Sequence, residues 1–123
     1  MDIPPPKQYK VLLIGDSCED VYHFGSCERV SPEAPVVVLR ESRVESRHGM
    51  AHNVLCNLRS FGLDVEFLTN HEVIKKHRYV DKKTKSHLLR VDEGEKSLLE
   101  ALPMATIRDL KNKKYDALVI SDY

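Results

Sequence analysis

The sequence predicts an α/β domain in which a parallel sheet, covered by helix, is interrupted by a β excursion. Three observations carry this reading. Val11-Leu12-Leu13-Ile14 and Ala117-Leu118-Val119-Ile120 are short, continuous apolar runs, the pattern of strands buried on both faces of a parallel sheet. Between them, Met50, Ala51, Val54, Leu55, Leu58 and Phe61 recur at helical spacing and define one buried stripe. From Val21 to Glu45 the pattern is different: residues of high strand propensity flank a proline-bounded turn, Ser31-Pro32-Glu33-Ala34-Pro35.

In chain order, Pro4-Pro5-Pro6 makes residues 1–10 a stiff, extended leader that cannot continue a helix. The first strand ends at Gly15-Asp16, and Asp20 follows four residues after Asp16. Polar residues just past the carboxyl end of a buried strand stand where open α/β sheets place their ligands. Taken alone, Asp16 reads as a turn or cap residue. Tyr22, Phe24 and Val36-Val37-Val38-Leu39, interrupted by Gly25, form the two arms of the excursion. Such a pair of arms serves as a lid or a pairing surface, and its edges call for cover by a partner subunit.

Arg47-His48-Gly49 then reads as a tight turn opening into a helix from Met50. That helix stops at Gly62, suited to the left-handed position after a helix end, with Leu63 next for an apolar contact. Asn53 and Asn57 are four apart and lie together along the edge of the stripe. Two carboxamides there can hold a polar ligand, or simply bond nearby backbone. Val65-Glu66-Phe67-Leu68 predicts another sheet strand. Val73 to Val80 and His87 to Val91 predict two more, joined by the charged turn Asp81-Lys82-Lys83-Thr84. Ser97-Leu98-Leu99-Glu100 has capping-box spacing for a short helix ended by Pro103. Thr106-Ile107-Arg108-Asp109 repeats that spacing and opens a helix with Ile107 and Leu110 inside. Asp122 follows its strand as Asp16 follows the first. If the two strands are parallel neighbours, their carboxylates converge on one edge of the sheet. The abrupt end after that strand suggests the front part of something larger.

Composition narrows the function classes. The chain has 123 residues, enough for one domain with a modest core, of which 41% are hydrophobic and 31% charged. Lys plus Arg and Asp plus Glu both number 19, so no global field draws the chain to nucleic acid or to an anionic membrane. Lys75-Lys76-His77-Arg78, with Lys82, Lys83 and Lys85, reads as a solvated face; an anion site is the alternative. No basic stripe with interleaved aromatics suggests a nucleic-acid binder. No signal peptide or bilayer-length apolar stretch is present. Cys18, Cys27 and Cys56 are an odd, widely spaced set, which fits reduced thiols in the cytoplasm better than zinc or a disulfide framework.

At this point the motifs resemble a known family. Gly15-Asp16, Asp20 and Tyr22 resemble the opening G-D-x-x-x-D-x-Y of ribokinase-like (PfkB) carbohydrate kinases. Gly25, Arg29 and Ser31-Pro32-Glu33-Ala34-Pro35-Val36 resemble G-x-x-x-R-x-S-P-E-A-P-V of the heptose 7-phosphate kinase branch, which includes the kinase half of the bifunctional heptose kinase/adenylyltransferase. Arg47-His48-Gly49-Met50-Ala51-His52-Asn53-Val54 is similar to that branch's R-P-G-G-A-A-N-V. Leu88-Leu89-Arg90-Val91-Asp92 is similar to its L-L-R-x-D strand, and Ala117 to Tyr123 to the strand that in the family runs on into G-K-G.

The resemblance implies an incomplete Rossmann-like α/β/α fold over residues 11–123, with a small β-sheet lid over about residues 21–46. It implies a sugar or sugar phosphate as ligand, with Asp16 and Asn53 bonding sugar hydroxyls, Asp20 and Gly49 shaping the pocket, and Asp122 at its edge. A carboxylate accepts from hydroxyls and a carboxamide both donates and accepts, which suits a polyol. Arg78 or Arg90 could reach a phosphate, although an outward, salt-bridged arginine is the simpler state for either. The family reaction is ATP- and magnesium-dependent phosphoryl transfer, but the chain lacks the G-A-G-D segment that supplies the family's base and anion hole, together with the nucleotide-binding half. No catalytic or metal-binding residue is therefore expected here, and the chain alone is expected to be inactive.

There are two further departures: Met50 stands at the second glycine of the family's G-G turn, and the helix and strand usual after Thr69 are missing. Three readings follow. The first is the sugar-binding portion of a heptose-phosphate-type kinase. The second is a non-catalytic sugar-binding or dimerisation module, forming a homodimer or hetero-oligomer through the lid. The third is a decayed remnant without a ligand.

Overall fold

The computed structural model describes residues 7–94 and 103–122. Its elements run β1 (Lys10–Gly15), β2 (Ser17–Val30), β3 (Val37–Met50), α1 (Ala51–Ser60), β4 (Asp64–Leu68), β5 (Ile74–Asp81), β6 (His87–Glu93), α2 (Met104–Lys111) and β7 (Ala117–Ser121). They form two sheets, one of three strands in the order β4-β1-β7 and one of four in the order β3-β2-β5-β6.

The three-stranded sheet is parallel throughout. Its middle strand is β1, and Val11, Leu12, Leu13 and Ile14 are all buried, as a strand covered on both faces requires. Val11 and Leu13 meet Leu55 of α1 and Val65 of β4, with Val54, Leu58, Phe67 and Val119 packed around them. A buried leucine in such a cluster contributes enough that truncation to alanine costs about 2–5 kcal/mol. The α/β class expected from the sequence is the class observed: a parallel sheet with a helix on it, although strands outnumber helices.

The four-stranded sheet is mixed, with β2 antiparallel to β3, parallel to β5, and β5 antiparallel to β6. Its long arms, β2 and β3, extend past the Val21 to Glu45 stretch at both ends. Consequently Arg47-His48-Gly49 is not a turn. Gly49 and His48 are paired with Cys18 and Glu19, and the strand passes directly into α1 at Ala51. Gly25 sits at a shift of register beside Phe24, where a β-carbon would collide with the Arg40 carbonyl.

Other expectations are corrected by position in the sheets. β7 lies at an edge, so Leu118 is 44% exposed and Ile120 68% exposed despite the strand's apolar sequence. Phe61 comes after the last helical residue and is 79% exposed, outside the stripe. The run Lys75-Lys76-His77-Arg78 is not a solvated face, because β5 is an interior strand between β2 and β6 and each of these residues is half-buried. α2 begins at Met104 and not at Thr106. Pro103 occupies its N-cap without a side-chain cap, so the capping box read at Thr106 does not form. The triproline leader and the helix expected at Ser97 to Glu100 lie outside the described residues. Gly62 adopts the expected left-handed backbone, with φ of 77°.

Candidate functional site

The two sheets meet where a single residue, Asp16, separates β1 from β2. Its carbonyl accepts the Ala51 N–H at 3.0 Å, which ties the start of α1 to this junction. The register pairs Gly15 with Ser121, so Asp16 and Asp122 stand side by side past the carboxyl ends of two parallel neighbours. Gly15 is required for this approach, because a β-carbon there would run into the Ser121 carbonyl. Asp16 is half-buried and Asp122 exposed.

On the other side of the junction, the Asp20 carboxylate folds over Gly49. A β-carbon at Gly49 would lie 2.5 Å from Asp20 Oδ2 and 2.6 Å from Cys18 Sγ. Asp20 forms a salt bridge with the Arg78 guanidinium, and both side chains are 19% exposed. The guanidinium groups of Arg47 and Arg78 also lie over the Tyr22 ring, at 5.2 and 5.4 Å. Arg90 is paired with Asp92 at 2.6 Å. Both arginines are thus salt-bridged, and the nearest charge to Asp20 is a cation from β5.

Asn53 lies in the first turn of α1 and is exposed; among the described residues its carboxamide has no hydrogen-bond partner. The same holds for the Asn57 side chain, so neither carboxamide is spent on nearby backbone. Asp16, Gly49 and Asn53 are therefore all carried by the β1–β2–β3–α1 junction. Asp20 belongs to it through Gly49 and Asp122 through the sheet register.

Met50 turns the corner between β3 and α1 with φ of 54° and ψ of −136°, a backbone that glycine adopts readily and a side-chain-bearing residue does not. Across this corner the His48 and His52 rings stack at 3.6 Å. They line a groove of about 420 Å³ with Ser17, Glu19, Thr69 and Asn70. Burial, then the neighbouring His48, pushes the His52 imidazole below its ordinary value, while burial and the Asp20 charge push the Cys18 thiol up.

Asn70 was not singled out by the sequence, yet it organises the short β4–β5 connection. Its Oδ1 accepts from the Ser17 N–H at 2.7 Å and the Thr69 hydroxyl at 2.8 Å, and its Nδ2 donates to the Glu72 carbonyl at 2.6 Å. This buried carboxamide bridges the two sheets. Among the described residues no group of three or more His, Cys, Asp or Glu side chains is arranged to hold a metal ion.

Comparison with known proteins agrees with the motifs. The chain is 35% identical over 136 aligned residues to the bifunctional protein HldE of Campylobacter jejuni subsp. doylei, covering 93% of this chain and 30% of that protein. Nearly its whole length is thus similar to part of HldE. The HldE proteins of Nitratiruptor sp. and Haemophilus influenzae are 31% and 32% identical, over 93% and 95% of this chain. The chain spans about 30% of the length of these HldE relatives. No family model matches it.

Solved structures that overlap it include ribokinase from Giardia lamblia, at 13% identity and a TM-score of 0.46 over 93% of this chain and 42% of that one. Another is the microbiome-derived acarbose kinase Mak1, at 12% identity and a TM-score of 0.47, over 93% and 46%. The sequence likeness to the bifunctional protein HldE is the stronger of the two comparisons.

Proposed function

We propose that this chain is the sugar-binding portion of a carbohydrate kinase whose family reaction is ATP-dependent phosphorylation of a heptose phosphate. The observation that carries the proposal is the pairing of Gly15 with Ser121, which sets Asp16 and Asp122 side by side at one end of the parallel sheet. The Asp16–Ala51 hydrogen bond supports it by fixing the helix that bears Asn53 to the same junction. In this reading Asp16 accepts from sugar hydroxyls and Asn53 donates and accepts. Asp20 and Gly49 shape the wall, and Asp122 bounds the site.

The four-stranded sheet, including the lid at about residues 21–46, covers the sugar and excludes water. ATP, magnesium and the base belong to a part of the kinase not represented here, and a cytoplasmic setting follows from those needs. Calorimetric titration with a heptose 7-phosphate tests the assignment: heat evolved by the native chain is expected to vanish for Asp16→Asn. Equal heats for the two would remove Asp16 from the site. The chain alone is expected to show no ATP-dependent turnover of any heptose.

One observation favours a second reading, a module that pairs through the lid. Val36, Val37 and Leu89 are more than half exposed around an apolar groove of about 460 Å³. Sedimentation of native chain and Leu89→Lys distinguishes the readings: a dimer lost in the variant supports pairing, and a monomer in both excludes it.

A further inference from the structure

The four-stranded sheet contains a row of titratable side chains that the sugar site does not use, with one residue contributed by each strand. Glu41 of β3 meets His23 of β2, with Oε2 2.5 Å from Nδ1. The other nitrogen of His23, Nε2, lies 2.9 Å from Nδ1 of His77 on β5. Nε2 of His77 is buried with no partner at hydrogen-bond distance, and Glu93 Oε2 of β6 lies 3.7 Å from it. The histidine side chains are only 15% and 17% exposed, whereas Glu41 and Glu93 at the two ends are 48% and 62% exposed. Tyr79 stacks on His23 at 4.5 Å and holds its ring orientation.

The number of protons this row accepts follows from its geometry. An imidazole–imidazole hydrogen bond needs one N–H and one lone pair. If both rings are neutral, His23 donates from Nδ1 to Glu41 and must accept at Nε2 from His77 Nδ1. His77 Nε2 is then a buried lone pair facing a carboxylate, with nothing to accept from. One added proton removes the conflict: His77 Nε2 becomes a donor aimed at Glu93, and every ring nitrogen has a role. A second added proton breaks the row again, because His23 Nε2 and His77 Nδ1 would then both be N–H groups facing each other.

We infer that the Glu41–His23–His77–Glu93 row is a binding site for one proton, which braces the four strands of this sheet. Other groups facing the rings do not alter the count. On β5, Tyr79 stacks and Lys75, one pleat away, is directed to Glu19 of β2 at 4.0 Å. The register sets apolar Val44 of β3 opposite His23 and Val91 of β6 opposite His77. The proton exchanges with solvent through the exposed glutamates, so the brace responds to pH without a ligand. The inference is independent of the sugar-binding reading.

The experiment is nitrogen NMR of the full chain labelled with 15N-histidine, in which ring couplings report which nitrogens carry protons. At neutral pH, three of the four ring nitrogens of His23 and His77 are expected to be protonated. His77→Gln is expected to move the His23 titration, the mark of coupled sites. Two neutral rings at neutral pH, with a His23 midpoint unmoved by His77→Gln, would overturn the proposal. Should that variant not fold, Glu41→Gln alters an exposed end of the row: a lowered His23 midpoint supports the proposal, and an unchanged one overturns it.

Discussion

Replacing Met50 by glycine is expected to stabilise the protein, against the usual direction of truncating an apolar side chain. Met50 has φ of 54° and ψ of −136°, where a β-carbon crowds the flanking backbone carbonyls. Residues held in such regions carry roughly 1–3 kcal/mol of strain. The corner cannot relax it, because the backbone is pinned on both sides. Met50 is the last residue paired to β2, opposite Ser17, and Ala51 donates to the Asp16 carbonyl. Glycine removes the strain but returns about 0.4–1 kcal/mol of entropy to the unfolded chain. It also forfeits the packing of a side chain that is only half-buried. The net gain is about 1 kcal/mol, a rise in Tm of roughly 4 °C for a domain of this size.

Met50→Ala is the control, since it loses the same packing while keeping the β-carbon and the strain. Urea unfolding followed by circular dichroism should therefore rank the three proteins glycine, methionine, alanine, with a common dependence on denaturant. An alanine variant as stable as the glycine variant would refute the strain argument.

Three further outcomes are expected. Asn70→Ala should lower stability by about 1–3 kcal/mol in the same assay, because it leaves the Ser17 N–H without its buried acceptor. His52 is held below its ordinary value of 6.5, so the folded chain binds fewer protons than the unfolded one just below that pH. Its contribution is thus fully present above 6.5 and lost as pH falls, and His52→Gln should flatten that part of the stability profile. Tyr115 donates to Glu66 Oε2 at 2.6 Å and its phenol is pushed up to about 12, so Glu66→Gln should bring its spectrophotometric titration back toward 10.

What was legible in the sequence was whatever a single element decides for itself. β1 is buried on both faces and reads as a continuous apolar run, and α1 covers one face and reads as a helical stripe. β7 shares the apolar signature of β1 but lies at an edge, and no periodicity within a strand reveals how many neighbours it has. The adjacency of Asp16 and Asp122 could be anticipated because each follows a parallel strand by one step. The Asp20–Arg78 bridge could not, since it depends on β2 lying parallel to β5, with 58 residues separating the partners. Alternation tells which face a side chain takes and not which strand lies beside it. The same limit hid His23 and His77. In β5 every residue from Lys75 to Arg78 is polar, so the alternation itself was masked and an interior strand read as a solvated one.

The two sheets are joined by very little backbone, and that economy explains where the unusual features fall. Asp16 alone links β1 to β2, while Met50 alone carries β3 into α1. These two crossings are locked together by the Asp16–Ala51 hydrogen bond. A rotation of the four-stranded sheet against the parallel one would turn about Asp16, Met50 and the β4–β5 connection, and would change the distance from Gly49 and Asp20 to Asp122. The strained residue and the residues assigned to the sugar thus share one hinge. Relieving the strain with glycine should consequently affect more than stability. If the strain at Met50 biases the hinge, Met50→Gly alters sugar-phosphate affinity as well as Tm, whereas Met50→Ala, with the backbone bias intact, leaves affinity nearly unchanged. Calorimetry on the three proteins separates these effects, and equal affinities in all three would show that the corner is strained for reasons unconnected with the site.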